Sequence, residues 1–223
     1  GYEGADPANG AGHAFDPAHH GGHLDRLEED HRRAAQMGLR AVRESIGWRL
    51  AEDGDGHIDL GRALRVQASA RRHGLQVLWT LVHQGLPQGL GVDDDAIVPR
   101  LARFAAEVAR VLGRGAGARP PVFTPIHEIG SLAADGGGAV RRRLVQAALA
   151  AMAAIARALP QARFLHPESL ASGPWQTWDL LAGRTEPALG GHARWLDVVG
   201  VGLPHDLQGR RLHRLLTEVW LRY

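Results

Sequence analysis

Apolar residues along the chain follow two alternating patterns. Short runs rich in Val, Ile and Leu, at 39–45, 75–82, 122–126, 163–166 and 196–202, have the length and composition of buried strands. Between them apolar positions recur at helical spacing over 23–37, 60–73, 94–112 and 140–159, with a shorter stretch at 175–182 and a last one at 210–223. In the first of these, Leu24, Leu27, Ala34 and Ala35 share one side while Asp25, Arg26, Glu28 and Glu29 lie elsewhere. Gly38 and Gly74 follow two of the helices as stop signals, and Asp53-Gly54-Asp55-Gly56 reads as a turn.

Strand and helix in strict alternation argue for a parallel sheet covered by helices. If Tyr2-Glu3 is the stub of a first strand, the five clear runs are the second to sixth strands of an α/β fold of the (β/α)8 TIM-barrel type, incomplete after about strand six. The 223 residues are read as one partial barrel domain, since a closed barrel typically takes about 250. Strands absent from this count would leave sheet edges to be covered by a partner, an oligomer or more polypeptide.

Composition narrows the function classes. An apolar fraction of 44% supplies a core and argues against disorder. All 26 basic residues are arginine, a bias of the kind a GC-rich genome produces. They are interspersed with acidic residues to a formal net charge of only +2, so no nucleic-acid partner is expected despite a pI of 9.8. There is no cysteine, which excludes disulfide and thiolate chemistry. The most apolar stretch, 144–159, contains Gln146 and Arg157, and the first residues lack a basic start followed by an apolar run. Neither membrane insertion nor a signal peptide is therefore expected, and a cytoplasmic location is favoured.

In barrels of this type the reacting groups stand at the C-terminal ends of the strands. The polar residues there are Arg43 and Glu44, His83, His127 and Glu128, His166 and Glu168, and Asp206. Glu128 stands out, because a carboxyl group just beyond a buried strand is partly desolvated and suited to protonating a leaving oxygen. The competing structural reading, a Glu that caps the next helix or pairs with an arginine, has equal weight on these grounds alone.

Phe123-Thr124-Pro125-Ile126-His127-Glu128-Ile129 resembles the Thr-Pro-x-Asn-Glu-Pro motif of family-one glycoside hydrolases, retaining β-glycosidases whose acid/base is that Glu. The resemblance implies that role for Glu128, with His127 standing where the family has an Asn that donates to the sugar 2-hydroxyl. Three further segments agree in order. Val42-Arg43-Glu44-Ser45-Ile46-Gly47-Trp48 is similar to the family's Arg-Phe-Ser-x-x-Trp, whose Arg lies beside the nucleophile. Thr80-Leu81-Val82-His83-Gln84-Gly85-Leu86-Pro87 is similar to Thr-Leu-x-His-x-x-x-Pro, whose His binds the sugar. Asp197-Val198-Val199-Gly200-Val201-Gly202 is similar to Asp-x-x-Gly-x-Asn, with Gly202 in the place of the Asn. By the same resemblance Arg43, His83, His127 and Trp48 line a sugar site, Glu3 falls where the family has a sugar-binding Gln or Glu, and Glu168 is either a sugar contact or a rim salt bridge.

The family's nucleophile is a Glu on strand seven. Thr217-Glu218 offers the dipeptide, but Leu212, Leu215, Leu216, Val219 and Leu221 around it follow helical spacing, so Glu218 reads as an exposed helix residue. Either further residues supply the second carboxylate or the apparatus is degenerate, which keeps open a barrel that binds carbohydrate, or a partner, without turnover. A metal-dependent enzyme is a third class, suggested by 13 histidines and by His19-His20-Gly21-Gly22-His23, with Glu128, His166 and Glu168 as conceivable ligands. Gly21-Gly22 disfavours an ordered pair of His19 and His23, so no metal and no cofactor is expected. Neither Gly113 to Gly117 nor Gly136-Gly137-Gly138 joins a strand to a helix as a dinucleotide site would.

Overall fold

The computed structural model describes residues 16, 20–115, 117 and 119–202. Tyr2-Glu3, His19, Asp206, Glu218 and the helix expected over 210–223 lie outside them. The described residues form an α/β structure around one parallel sheet, curled as half of a barrel wall, with the strands in sequence order. The strands are β1 (Ala41–Ser45), β2 (Gln76–Val82), β3 (Val122–Ile126), β4 (Arg163–Ser169) and β5 (Val198–Gly202), the second to sixth of the expected barrel. The helices are α1 (Leu27–Gln36), α2 (Trp48–Ala51), α3 (Gly61–Arg72), α4 (Ile97–Leu112), α5 (Ile129–Leu132), α6 (Gly137–Ala158) and α7 (Pro174–Leu181). None of the described helices is long and apolar enough to cross a membrane.

The expected elements are present, with shifted ends. α1 starts later than expected because Gly22 takes a positive φ of 67° and a turn occupies the residues before Leu27. α2 and α5 are single turns of four residues, too short to show a period. β4 continues through Pro167 to Ser169, since proline needs no N–H there and its carbonyl accepts from the Glu128 N–H at 3.1 Å.

Parallel register fixes which side chains share a face. Arg43 pairs with Leu78 and Ser45 with Thr80, and Thr80 pairs in turn with Thr124, so these residues point to the inner, barrel side. Glu44, Trp79, Phe123 and Phe164 are likewise registered with one another, and by alternation His166 and Glu168 join them on the side the helices cover. His166 is 2% exposed, its Nε2 lies 2.9 Å from the Trp195 carbonyl, and burial holds its pKa down to about 4. Glu168 is 1% exposed beneath α5, where its Oε2 accepts from the Gly130 N–H at 2.9 Å. A Cβ at Gly130 would stand 2.8 Å from Glu168 Oε2 and 2.7 Å from Ser172 Oγ, so a larger residue would have to displace these side chains. Desolvation by this burial pushes the Glu168 carboxyl up to about 7 against the opposing pull of backbone amides.

Trp48 is also part of the packed interior. It has no exposed surface, stacks on Phe104 of α4 at 5.6 Å, and donates from Nε1 to Glu52 Oε2 at 2.7 Å. The other Glu52 oxygen accepts from Arg100 and Arg103 at 2.9 and 2.7 Å, so one inaccessible carboxylate ties α2 to α4.

Two consequences are measurable. Trp48→Phe removes one donor from a buried carboxylate and should lower unfolding stability by about 1–3 kcal/mol in urea titration. For Glu168 the sign follows from its raised pKa: below about pH 4.5, the ordinary carboxyl value, folded and unfolded states both hold the proton. Between there and about pH 7 only the folded state does, so stability falls as pH rises. Glu168→Gln should remove that fall, on the order of 3 kcal/mol. The difference between the two urea-derived pH profiles isolates it, since the depressed histidines act equally in both proteins; parallel profiles would refute it.

Candidate active site

Four of the residues singled out in the sequence converge where β1, β2 and β3 end. Arg43 projects from the inner face of β1, His83 directly follows β2, and His127 and Glu128 directly follow β3. The His127 N–H donates to the Val82 carbonyl at 2.9 Å, which extends the β2–β3 pairing one residue past the strand and sets the two imidazoles side by side. Their ring centroids are 4.1 Å apart at an interplanar angle of 42°.

The protonation of this group can be deduced. Arg43 Nη2, which can only donate, lies 2.9 Å from His127 Nδ1, so Nδ1 accepts and the ring proton sits on Nε2. Burial, with the neighbouring His83 and Arg43, pushes the His127 pKa down to about 3; burial and Arg43 push His83 down to about 4, against the attraction of Glu128. Both rings are therefore neutral near pH 7, each with one N–H donor and one acceptor nitrogen.

His127 Nε2 lies 3.8 Å from Glu128 Oε1. The Glu128 side chain retains 26% exposure, its Oε2 accepts from Ser131 Oγ at 3.0 Å, and no side-chain cap bond to α5 is formed. Gly202 at the end of β5 lets this carboxylate approach, for a Cβ at 202 would stand 2.9 Å from Glu128 Oε1. A hollow of about 230 Å3 opens here, lined by Gln84, His127, Glu128, Ser131, Leu132 and Asp135. Gln84 and Glu128 both hold the left-handed backbone region, with φ of 71° and 48°. Such strain in non-glycine residues gathers where function constrains the chain.

The remaining expected site residues are not brought to this hollow. Trp48, without exposed surface, has none to offer a sugar, and Glu168 faces the helix layer bonded to a backbone amide, neither on the rim nor in the hollow. Glu3 lies outside the described residues. Ser131 and Asp135 were missed: the helical Glu128-x-x-Ser131 spacing was a usable signal for the first, whereas Asp135 lies in a turn that carries none.

No protein-family model matches the sequence, and no curated protein does. Solved structures do match in fold. The virulence factor SghA of Agrobacterium tumefaciens superposes with a TM-score of 0.58 at 22% identity, over 66% of this chain and 37% of SghA. A β-glucosidase from Thermotoga maritima in complex with cyclophellitol gives 0.66 at 16% identity, over 90% of this chain and 64% of the enzyme. The AHE enzyme of Alicyclobacillus herbarius gives 0.65 at 17%, over 81% and 54%. The chain thus spans less than two thirds of the length of each, and what it shares with them is the fold, a (β/α) barrel in partial form.

Proposed function

We propose that the protein is a glycoside-hydrolase-like barrel that acts on a β-linked glycoside, with Glu128 as its acid/base. One observation carries this reading: at the C-terminal ends of three adjacent strands a partly exposed carboxylate shares a hollow with a neutral, oriented imidazole, as sugar chemistry requires. Glu128 protonates the glycosidic oxygen as a nucleophile from outside the described residues displaces the leaving group, and, then ionised, takes a proton from the water that releases the sugar. The His127 ring, which carries its proton on Nε2 because Nδ1 accepts from Arg43, holds a sugar hydroxyl close to Glu128, and neutral His83 binds another. Arg43 keeps His127 in that tautomer. The fold shared with β-glucosidases agrees with this substrate class.

Retaining hydrolysis needs a second carboxylate about 5 to 5.5 Å from the first. Of the described carboxylates near Glu128, Glu168 faces the helix layer and Asp135 stands exposed, so we assign the nucleophile's role to neither. That observation favours a second reading, a barrel that binds carbohydrate without turnover.

The two readings separate on Glu128→Gln assayed with an aryl β-glucoside and with an unactivated β-glucoside. The enzyme reading expects the kcat for the unactivated substrate to fall by about 10²–10⁴-fold, with the smaller loss on the activated one. Equal turnover by variant and parent removes Glu128 from the chemistry. Binding of the glucoside with the same affinity by both proteins, with no turnover by either, establishes the second reading.

A further inference from the structure

A second polar cluster is enclosed on the opposite side of the sheet, where β1 meets α1, α3 and the turn that leads into α1. Its centre is Glu44, 3% exposed, and two imidazoles aim at the same carboxylate oxygen through the same ring nitrogen. His23 Nε2 lies 3.3 Å and His31 Nε2 3.1 Å from Glu44 Oε1. The ligand atoms of the three residues lie within 4.8 Å of one another, and the histidines are 6% and 0% exposed. Each ring is also anchored at its far nitrogen: His23 Nδ1 is 2.7 Å from Asp30 Oδ2, and His31 Nδ1 is 2.9 Å from Ser69 Oγ.

Packing does not require this group. The other buried residues of α1 are Leu27 and Ala34, and three ionisable side chains enclosed in such a layer cost desolvation free energy that an apolar side chain would not. Nor does the sugar chemistry use it, since Glu44 and Arg43 are consecutive and so point to opposite faces. Its geometry matches a different purpose. Imidazoles that ligate a metal ion as a rule give their other N–H to a carboxylate or another oxygen, as Asp30 and Ser69 allow here. A tetrahedral zinc ion with bonds of about 2.0–2.1 Å sets its ligand atoms about 3.3 Å apart, and the two N···O separations are 3.1 and 3.3 Å. Two imidazoles and one carboxylate are an established zinc donor set with water in the fourth position, whereas hard cations such as Mg2+ and Ca2+ prefer oxygen throughout. The carboxylates of Glu44 and Asp30 together balance the two charges of the ion.

We infer that His23, His31 and Glu44 form a binding site for a divalent transition-metal cation, zinc by its donor set, with Asp30 and Ser69 orienting the two imidazoles. The depth of the site makes its role structural. The cation joins three separate pieces of chain, the turn before α1, α1 itself and β1, while Ser69 adds α3. It would also fix the strand that carries Arg43 to His127, from the far side of the sheet.

The test uses the whole chain, stripped with a chelator, reloaded with Zn2+ or Co2+ and dialysed. The protein should retain about one equivalent of zinc, melt at a higher temperature when loaded, and show the visible bands of tetrahedral Co2+. Glu44→Gln, which keeps an acceptor for both imidazoles, and His31→Gln should each lose the retained metal and the Co2+ bands. Asp30→Asn should weaken zinc binding by about 10–100-fold. His57→Gln, at a histidine 75% exposed, should change nothing. Circular dichroism reports which variants fold; should His31→Gln not fold, Glu44→Gln and Asp30→Asn decide the matter. Retention no greater than in folded Glu44→Gln, or Co2+ bands that survive that substitution, would overturn the inference and leave a hydrogen-bonded histidine–carboxylate network.

Discussion

The strict alternation of side chains across a parallel sheet is the constraint on which both polar clusters depend. Arg43 and Glu44 are neighbours in sequence, yet one reaches His127 above the barrel interior and the other is enclosed with His23 and His31 beneath the helices. Register carries that division from strand to strand, because Glu44 pairs with Trp79, Trp79 with Phe123 and Phe123 with Phe164. A shift of a single residue in any of these pairings would exchange the faces and dissolve both groups at once.

Electrostatics makes the inner cluster chemically specific. Burial, together with the fixed cation Arg43, keeps two adjacent imidazoles uncharged. A neutral imidazole offers a donor and an acceptor at defined positions, the kind of group that discriminates among hydroxyls, whereas a charged one would offer two donors and no acceptor.

Strand order, strand number and the cluster at Arg43, His83, His127 and Glu128 were legible because they follow from period, composition and position at strand ends. β3 matches its expected bounds of 122–126, where proline and apolar residues leave little latitude. Trp48 and Glu168 were assigned to the site by motif position and nearness to a strand end, which overlooks the parity that turns Glu168 to the helices and the i, i+4 partner Glu52 that holds Trp48 inside. The outer cluster was hidden for another reason. His31 meets Ser69 across 38 positions and His23 meets Glu44 across 21, and neither pairing has a local signature. In the sequence His23 stands beside His19 and His20, and nothing local links it to Glu44.

The proline within β4 has a mechanical consequence. Pro167 in β4 directs its carbonyl, and would direct its missing N–H, toward β3, and at this boundary the ladder runs over only two registered pairs, against four or five at every other described boundary. The wall therefore contains a seam, weaker in main-chain bonding than the half-sheets on either side. Glu128 is suspended across it, its N–H bonded to the Pro167 carbonyl and its carboxylate beside Gly202, while His127 belongs with β2. The distance between this carboxylate and its imidazole neighbours is thus a compliant coordinate of the protein, set by how far the two half-sheets breathe apart rather than by the stiffness of either one.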